Sequence, residues 1–372
     1  MADTLTDARK LLRGDIGTIE QYHAMEPLET VAARRGVPPE RIVRLHMNEN
    51  PWGAPLRVQE ALAAFDGFSH YPDPESREIR RLLAEYTGVS AERIVVGAGA
   101  DEVIDWLFTL FAGRGEVVVV PTPTFGMYAA RAQVHGVAVR SVPRLPDFGL
   151  DMEAMEAAIT PDVKIVFLTS PNNPTGNLAR MGEVVRLLRR DVIVVVDEAY
   201  FEFAGRTVAP LIAEYDNLVV LRTFSKWAGL AGLRVGYGLM PRWIADECWR
   251  IKQPYNINVA AQVAVAAVFE EMPTVRRTIR SIRLERLRMY RALRKLNFLK
   301  PHESKANYLL THVLHGTGKD VEDWLADDGI FIRRYSSPEL ANYVRISVGR
   351  PEDTDRLMGR LTLLARRYAR EM

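Results

Sequence analysis

LRTFSKWAGLAGLRVGYG (residues 221–238) sets one lysine, Lys226, among Phe224, Trp227, Leu230 and Leu233, with Ser225 before it and Arg234 downstream. A lysine beside apolar groups loses proton affinity, and its free amine becomes available as a nucleophile. The run leading into this stretch, Leu218–Leu221, is apolar throughout. That pattern suits a strand buried on both faces, as in a parallel sheet covered by helices. Ile94–Val96, Val117–Val120, Ile165–Leu168 and Val192–Val196 read the same way.

Segments of helical period lie between these runs. ESREIRRLLAEY carries Ile79, Leu82, Leu83 and Tyr86 at helical spacing, with Asp73 and Pro74 marking its start and Gly88 its end. ADEVIDWLFTLF follows the Ile94–Val96 run directly. Strand–helix alternation from about residue 90 to 240 predicts an α/β domain with a mostly parallel sheet. Beyond Pro254 a long charged helical region precedes short strands near Asn307–Thr311 and Tyr343–Val348, the pattern of a smaller α+β domain. The expected division is an N-terminal arm and edge element over 1–46, a large domain over 47–255 and a small domain over 256–372. Pro38 and Pro39 break any helix at that point of the arm.

Bulk properties narrow the function. The chain has 372 residues, 48% hydrophobic and 26% charged, with a formal net charge of +2. That balance fits a globular protein and argues against nucleic-acid binding, which needs a basic excess. The single cysteine, Cys248, cannot close an internal disulfide and points to a reducing, cytoplasmic compartment. No cysteine or histidine cluster has zinc-ligand spacing, so no metal site is expected. The first residues include acidic groups and lack an apolar core, unlike a secretory signal. The most apolar helix-length stretch, Ile257–Phe269, is too short to cross a bilayer and contains Asn258 and Gln262.

In open α/β sheets, ligands bind beyond the carboxyl ends of the strands. GAGADE (97–102) follows the first such strand and opens a helix, where backbone N–H groups and the helix dipole favour a phosphate. A nicotinamide dehydrogenase is the alternative there, but the third glycine is missing and the next strand ends in Pro121 rather than an acid. TSPNNPTGN (169–177) restrains Asn172 and Asn173 between prolines, so an amide is held ready to donate. Asp197 ends an aliphatic strand, and its carboxylate is expensive to desolvate unless it faces a cation. Lys226 supplies the amine, Ser225 and Thr223 hydroxyls, and Arg234 a permanent cation suited to phosphate. Pyridoxal phosphate needs all of these. Its aldehyde condenses with a lysine, its phosphate takes a helix N-terminus and an arginine, and its phenolate takes an amide donor. Its ring nitrogen takes a carboxylate.

The chain resembles the fold type I pyridoxal-phosphate aminotransferases of class I/II, and among them most closely the histidinol-phosphate aminotransferases. The resemblance runs through NENPWGAP (48–55), YPDP (71–74), GAGADE, PTPTFGMY (121–128), SPNNPTGN, VDEAYFEF, TFSKWAGLAGLRVGYG and YVRISVGRPED (343–353). It implies that Lys226 bonds the cofactor aldehyde and shuttles the substrate proton. Asp197 would pair with the ring nitrogen, while Asn173 and Tyr200 would bond the phenolate oxygen and Phe125 would stack on the ring. Ala100, Asp101, Ser225, Arg234 and Thr223 would hold the phosphate. Tyr71 would reach the neighbouring subunit's cofactor in a homodimer. Arg345, helped by Arg333 and Tyr22, would hold the substrate anion. The arm departs from the family pattern at Glu26, His46, Met47 and Trp52. A broad aromatic or other amino-acid aminotransferase and a threonine-phosphate decarboxylase share this motif set. A ligand-sensing regulator would need an N-terminal DNA-binding domain, for which the first 45 residues are too short and irregular.

Overall fold

The computed structural model describes residues 7–21 and 25–371. In the arm, helix α1 (Leu28–Arg34) is followed by strand β1 (Val43–Leu45). Helices α2 (Leu56–Ala64) and α3 (Arg77–Thr87) come next. Asp73 accepts from the backbone N–H of Arg77 at 2.7 Å, and Gly88 closes α3 in the left-handed region at φ 72°. Both residues match the helix ends expected from the sequence.

A seven-stranded sheet then forms from β2 (Ile94–Gly97), β3 (Val117–Thr122), β4 (Ala138–Pro143), β5 (Val163–Thr169), β6 (Ile193–Asp197), β7 (Leu218–Thr223) and β8 (Gly236–Leu239). Its spatial order is β2-β8-β7-β6-β5-β3-β4. The strands from β7 to β4 pair in parallel, and β8 runs antiparallel to both β7 and β2. The expectation of a mostly parallel sheet agrees with this. Neither β4, an edge strand with half-exposed side chains, nor β8, whose GYGL lacks an aliphatic run, is marked by a hydrophobic pattern.

The apolar strands are covered on both sides. Val95, Phe167, Val195, Val219 and Leu221 join one core cluster, while their neighbours Val96, Leu168, Val196 and Val220 join the other. Helices α4 (Ala100–Phe111) and α5 (Met127–His135) bury Ile104, Phe108 and Tyr128 against the first face. The second face receives Leu83 of α3 together with Leu187 of α7, which follows the short α6 (Met152–Ala157) and spans Met181–Leu188. A short α8 (Phe201–Ala204) and α9 (Arg242–Ile251) complete the layers.

α10 (Val259–Glu270) lies beyond the expected division at 255, yet it packs on α2 and α3. The long α11 (Met272–Leu293) then leads into a second sheet. That sheet contains β9 (Leu299–Pro301), β10 (Tyr308–Val313), β11 (Ile330–Arg334) and β12 (Tyr343–Ser347), with α12 (Gly318–Ala326) and α13 (Pro351–Glu371) packed beside it. Its order is β1-β11-β12-β10-β9, so β1 of the arm is its edge strand, parallel to β11. Among the described residues no helix is long and apolar enough to cross a membrane.

Candidate active site

The carboxyl ends of β5, β6 and β7 lie side by side. Thr169 pairs with Asp197, and Asp197 with Leu221, at one level of the sheet. Loops leaving this level converge on a cavity of about 680 Å³. Lys226, Asp197, Tyr200, Ala100, Asp101, Phe125, Asn173, Thr223, Ser225, Arg234, Arg333 and Arg345 all line it. Tyr71 does not. It is 81% exposed on this chain and stacks on Tyr255 with ring centroids 4.5 Å apart. Tyr22 lies outside the described residues.

Asp197 forms the floor. Its Oδ2 accepts from the Tyr128 hydroxyl at 2.7 Å and its Oδ1 from the backbone N–H of Ala199 at 2.9 Å. Burial raises its pKa to about 6 against these stabilising bonds. Tyr128 is fully buried, stacked on Phe167, and its hydroxyl also lies 2.9 Å from Thr169 Oγ1. The PTPTFGMY motif alone does not reveal this role. A tyrosine on an otherwise apolar helix face was the available signal.

Lys226 Nζ donates to the Met47 carbonyl at 3.1 Å. Burial, followed by the nearby Arg345 cation, lowers its pKa to about 8. A share of free amine is therefore present near neutrality.

One corner of the cavity is kept open by glycine. Gly99, at φ 83°, precedes α4, and a Cβ there would meet Arg234 Nη2 at 2.6 Å. A Cβ on Gly236 would lie 2.4 Å from the backbone nitrogen of Ala100. Without those side chains, the α4 N-terminus, Arg234, Ser225 and Thr223 share one concave anion cradle. Arg234 Nη2 contacts Asp101 at 2.9 Å, and the Thr223 hydroxyl donates to Ser225 Oγ at 2.9 Å.

The opposite wall comes from the small sheet and the arm. Arg345 donates from Nη1 to Asn173 Oδ1 at 2.7 Å and from Nη2 to the His46 carbonyl at 2.6 Å, and its buried Nε has no hydrogen-bond partner. Arg333 pairs with Arg345 across β11 and β12. Tyr200 accepts at its hydroxyl from Asn48 Nδ2 at 3.0 Å, and Asn48 Oδ1 accepts from Ser347 Oγ at 2.9 Å. Asn48 is a further site residue that spacing alone did not single out.

The two asparagines held by prolines divide their work. Asn172 is fully buried and donates to Thr175 Oγ1 and the Pro123 carbonyl, so it shapes the loop. Asn173 faces the cavity. Of the unusual arm residues, Met47 and His46 contribute backbone carbonyls to Lys226 and Arg345. The His46 ring is buried and its pKa falls to about 4 through desolvation and the neighbouring arginines, so it is neutral at pH 7. Glu26 pairs with Arg34 at 2.6 Å.

The cavity thus offers one amine, one acid beneath it, an anion cradle at one end and two guanidinium groups at the other. An aromatic aldehyde bearing a phosphate fits the first three. Its phosphate would occupy the corner that a Cβ at 99 would fill.

Residues 40–361 match the family described as aminotransferase class I and II. The chain is 43% identical to the histidinol-phosphate aminotransferase of Dehalococcoides mccartyi over 352 residues, 95% of this chain and 97% of that one. It is 44% identical to the enzyme of that description from Roseiflexus castenholzii over 357 residues, covering 94% and 96%. Among solved structures, histidinol-phosphate aminotransferase from Sinorhizobium meliloti in complex with pyridoxal-5'-phosphate superposes with a TM-score of 0.84 at 27% identity, over 93% of this chain and 96% of that one.

Proposed function

The chain belongs to the class I and II aminotransferases, and on that footing we propose that it exchanges an amino group between histidinol phosphate and the 2-oxo acid of glutamate, using pyridoxal 5'-phosphate. The observation that carries this reading is the cavity with a cationic corner at each end, Arg234 at one and the Arg333–Arg345 pair at the other, around Lys226 and Asp197. One corner suits the cofactor's phosphate and the other a dianionic substrate group. The full-length relatives of this name favour histidinol phosphate over an aromatic amino acid or phosphothreonine as donor.

When bound, the cofactor supplies an electrophilic aldehyde and a protonated ring that withdraws electrons from the substrate carbon. Lys226 Nζ, partly free of its proton, would be the amine that holds the cofactor through its aldehyde, and it would carry the proton to and from the substrate carbon. Asp197 would keep the ring nitrogen protonated, and the Tyr128 hydroxyl, donating to Asp197 Oδ2, orients that carboxylate and favours its ionised form. Tyr200 and Asn173 would bond the phenolate oxygen, and Phe125 would cover the ring face. Ala100, Asp101, Thr223, Ser225 and Arg234 hold the phosphate. Arg345 and Arg333, with Tyr22, hold the substrate anion. The exposure of Tyr71 supports its reaching the second active site of a homodimer. The compartment is the cytoplasm.

Mixing the yellow holoenzyme separately with histidinol phosphate, aromatic amino acids, phosphothreonine and glutamate tests the assignment. Histidinol phosphate and glutamate should each bleach the visible band without releasing carbon dioxide. Bleaching by aromatic amino acids but not histidinol phosphate, or carbon dioxide from phosphothreonine, would replace this substrate with another.

A further inference from the structure

A second cavity, of about 530 Å³, lies between α8, α11 and Tyr86 of α3 and shares no lining residue with the catalytic one. Its floor is apolar and aromatic, formed by Tyr86, Phe201, Met272 and Ile279. At its inner side sits Glu202, only 8% exposed, whose Oε1 has no hydrogen-bond partner. Burial pushes that carboxyl up to about 8, with Arg222 acting against the rise. A carboxyl so poorly compensated keeps its proton until a cationic group is brought to it, and such a group favours its ionised form. At the rim stand Arg276, Arg280 and Arg283, which share one face of α11 because they are four and three residues apart. Among the described residues none of the three forms an ion pair or hydrogen bond, so all three guanidinium groups are available to an anion.

We propose that this cavity is a binding site for a free α-amino acid with an apolar or aromatic side chain. Its ammonium would meet Glu202, its side chain would lie on Tyr86, Phe201, Met272 and Ile279, and its carboxylate would meet the arginine rim. The volume falls within the range of small-ligand sites, and the opposed charges across an apolar floor select a zwitterion over a simple anion. An occupant would bear on the catalytic site by two short routes. Phe201 and Glu202 directly follow Tyr200, the N-cap of α8, and the Tyr86 ring stacks on Trp227, next to Lys226, at 5.8 Å.

Calorimetric titration of borohydride-reduced holoenzyme, in which amino acids no longer react in the catalytic cavity, tests the site with three probes. L-Phenylalanine is expected to bind saturably, while 3-phenylpropionate, lacking the ammonium, and phenethylamine, lacking the carboxylate, should each bind roughly tenfold more weakly. In R280A/R283A, on the exposed face of α11, phenylalanine should weaken by roughly tenfold with phenethylamine unchanged. In E202Q, phenylalanine affinity should fall toward that of phenylpropionate. No saturable phenylalanine binding, equal affinity for all three probes, or binding that survives unchanged in R280A/R283A would overturn the proposal. The arginine variant is diagnostic even where substitution of the buried Glu202 disturbs folding.

Discussion

Arg345 on β12 of the small sheet donates a 2.7 Å hydrogen bond to Asn173 in the loop that follows β5 of the large sheet. The residue proposed for the substrate's anion and the residue proposed for the cofactor's oxygen are therefore joined side chain to side chain. On that proposal, substrate recognition and cofactor orientation share one contact between the two sheets.

Replacing Arg345 by lysine keeps the charge and loses the planar fork that reaches Asn173 and the His46 carbonyl together. KM for the anionic substrate should rise roughly tenfold to a hundredfold, with the cofactor dissociation constant changing by less than about threefold. Steady-state kinetics beside a cofactor titration separate the two. Equal losses would mean that Arg345 serves the cofactor as much as the substrate.

Lys226→Ala removes the residue proposed as both nucleophile and proton carrier. Turnover should drop by roughly 10⁴-fold or more, with the circular-dichroism spectrum unchanged and no band that borohydride bleaches. Near wild-type turnover would remove Lys226 from its role.

Asp197 is held neutral more readily in the folded protein than in the unfolded chain, with a pKa of about 6 against 3.8. The folded state therefore keeps its proton over that interval, and the cofactor-free protein loses stability as pH rises from about 4 to about 6, by about 3 kcal/mol at most. Asp197→Asn should abolish this slope and leave the cofactor-free protein at pH 7 as stable as wild type or more so, while cofactor affinity falls. Melting temperatures at pH 5 and pH 7, with and without cofactor, check it. A D197N protein that keeps the wild-type slope would assign the titration to another group.

Tyr128→Phe deletes the hydroxyl that donates to Asp197 Oδ2 and keeps the ring stacked on Phe167. Asp197 then ionises less readily, and the acid limb of the kcat/KM profile should move up by roughly one pH unit. A profile that falls in height without moving would reduce Tyr128 to a packing role.

If Tyr71 serves the neighbouring subunit, Tyr71→Ala and Lys226→Ala chains should complement each other. Each mixed dimer then contains one site with a native lysine and a native tyrosine. Activity should appear when the two impaired variants are unfolded and refolded together, and a mixture no more active than its parts would place Tyr71 in its own chain's site.

Much of the fold was legible because burial on both faces leaves a local mark. Five strands of the large sheet read as unbroken apolar runs, and α4 read to the residue. β8 was invisible because its glycines serve close approach, Gly236 to the α4 N-terminus, and carry no hydrophobic pattern. α1 was missed because only Leu28 and Ala32 of its seven residues are buried.

The sequence by itself determined which chemical groups stand at the ends of which strands: an amine at 226, an acid at 197, an amide at 172 or 173, and a glycine-opened helix start at 97–102. Spacing within one strand and turn settles such positions, because backbone geometry over a few residues is local. Asn173, the amide that the family resemblance implied, is the one that lines the cavity. Only the tertiary structure decided that Tyr128 holds Asp197, that Asn48 meets Tyr200 and that Arg345 reaches Asn173. Those partners are 69, 152 and 172 positions apart. Their meeting, and the burial that moves the pKa values of Lys226 and Asp197 toward each other, depends on how the two sheets and the arm pack together.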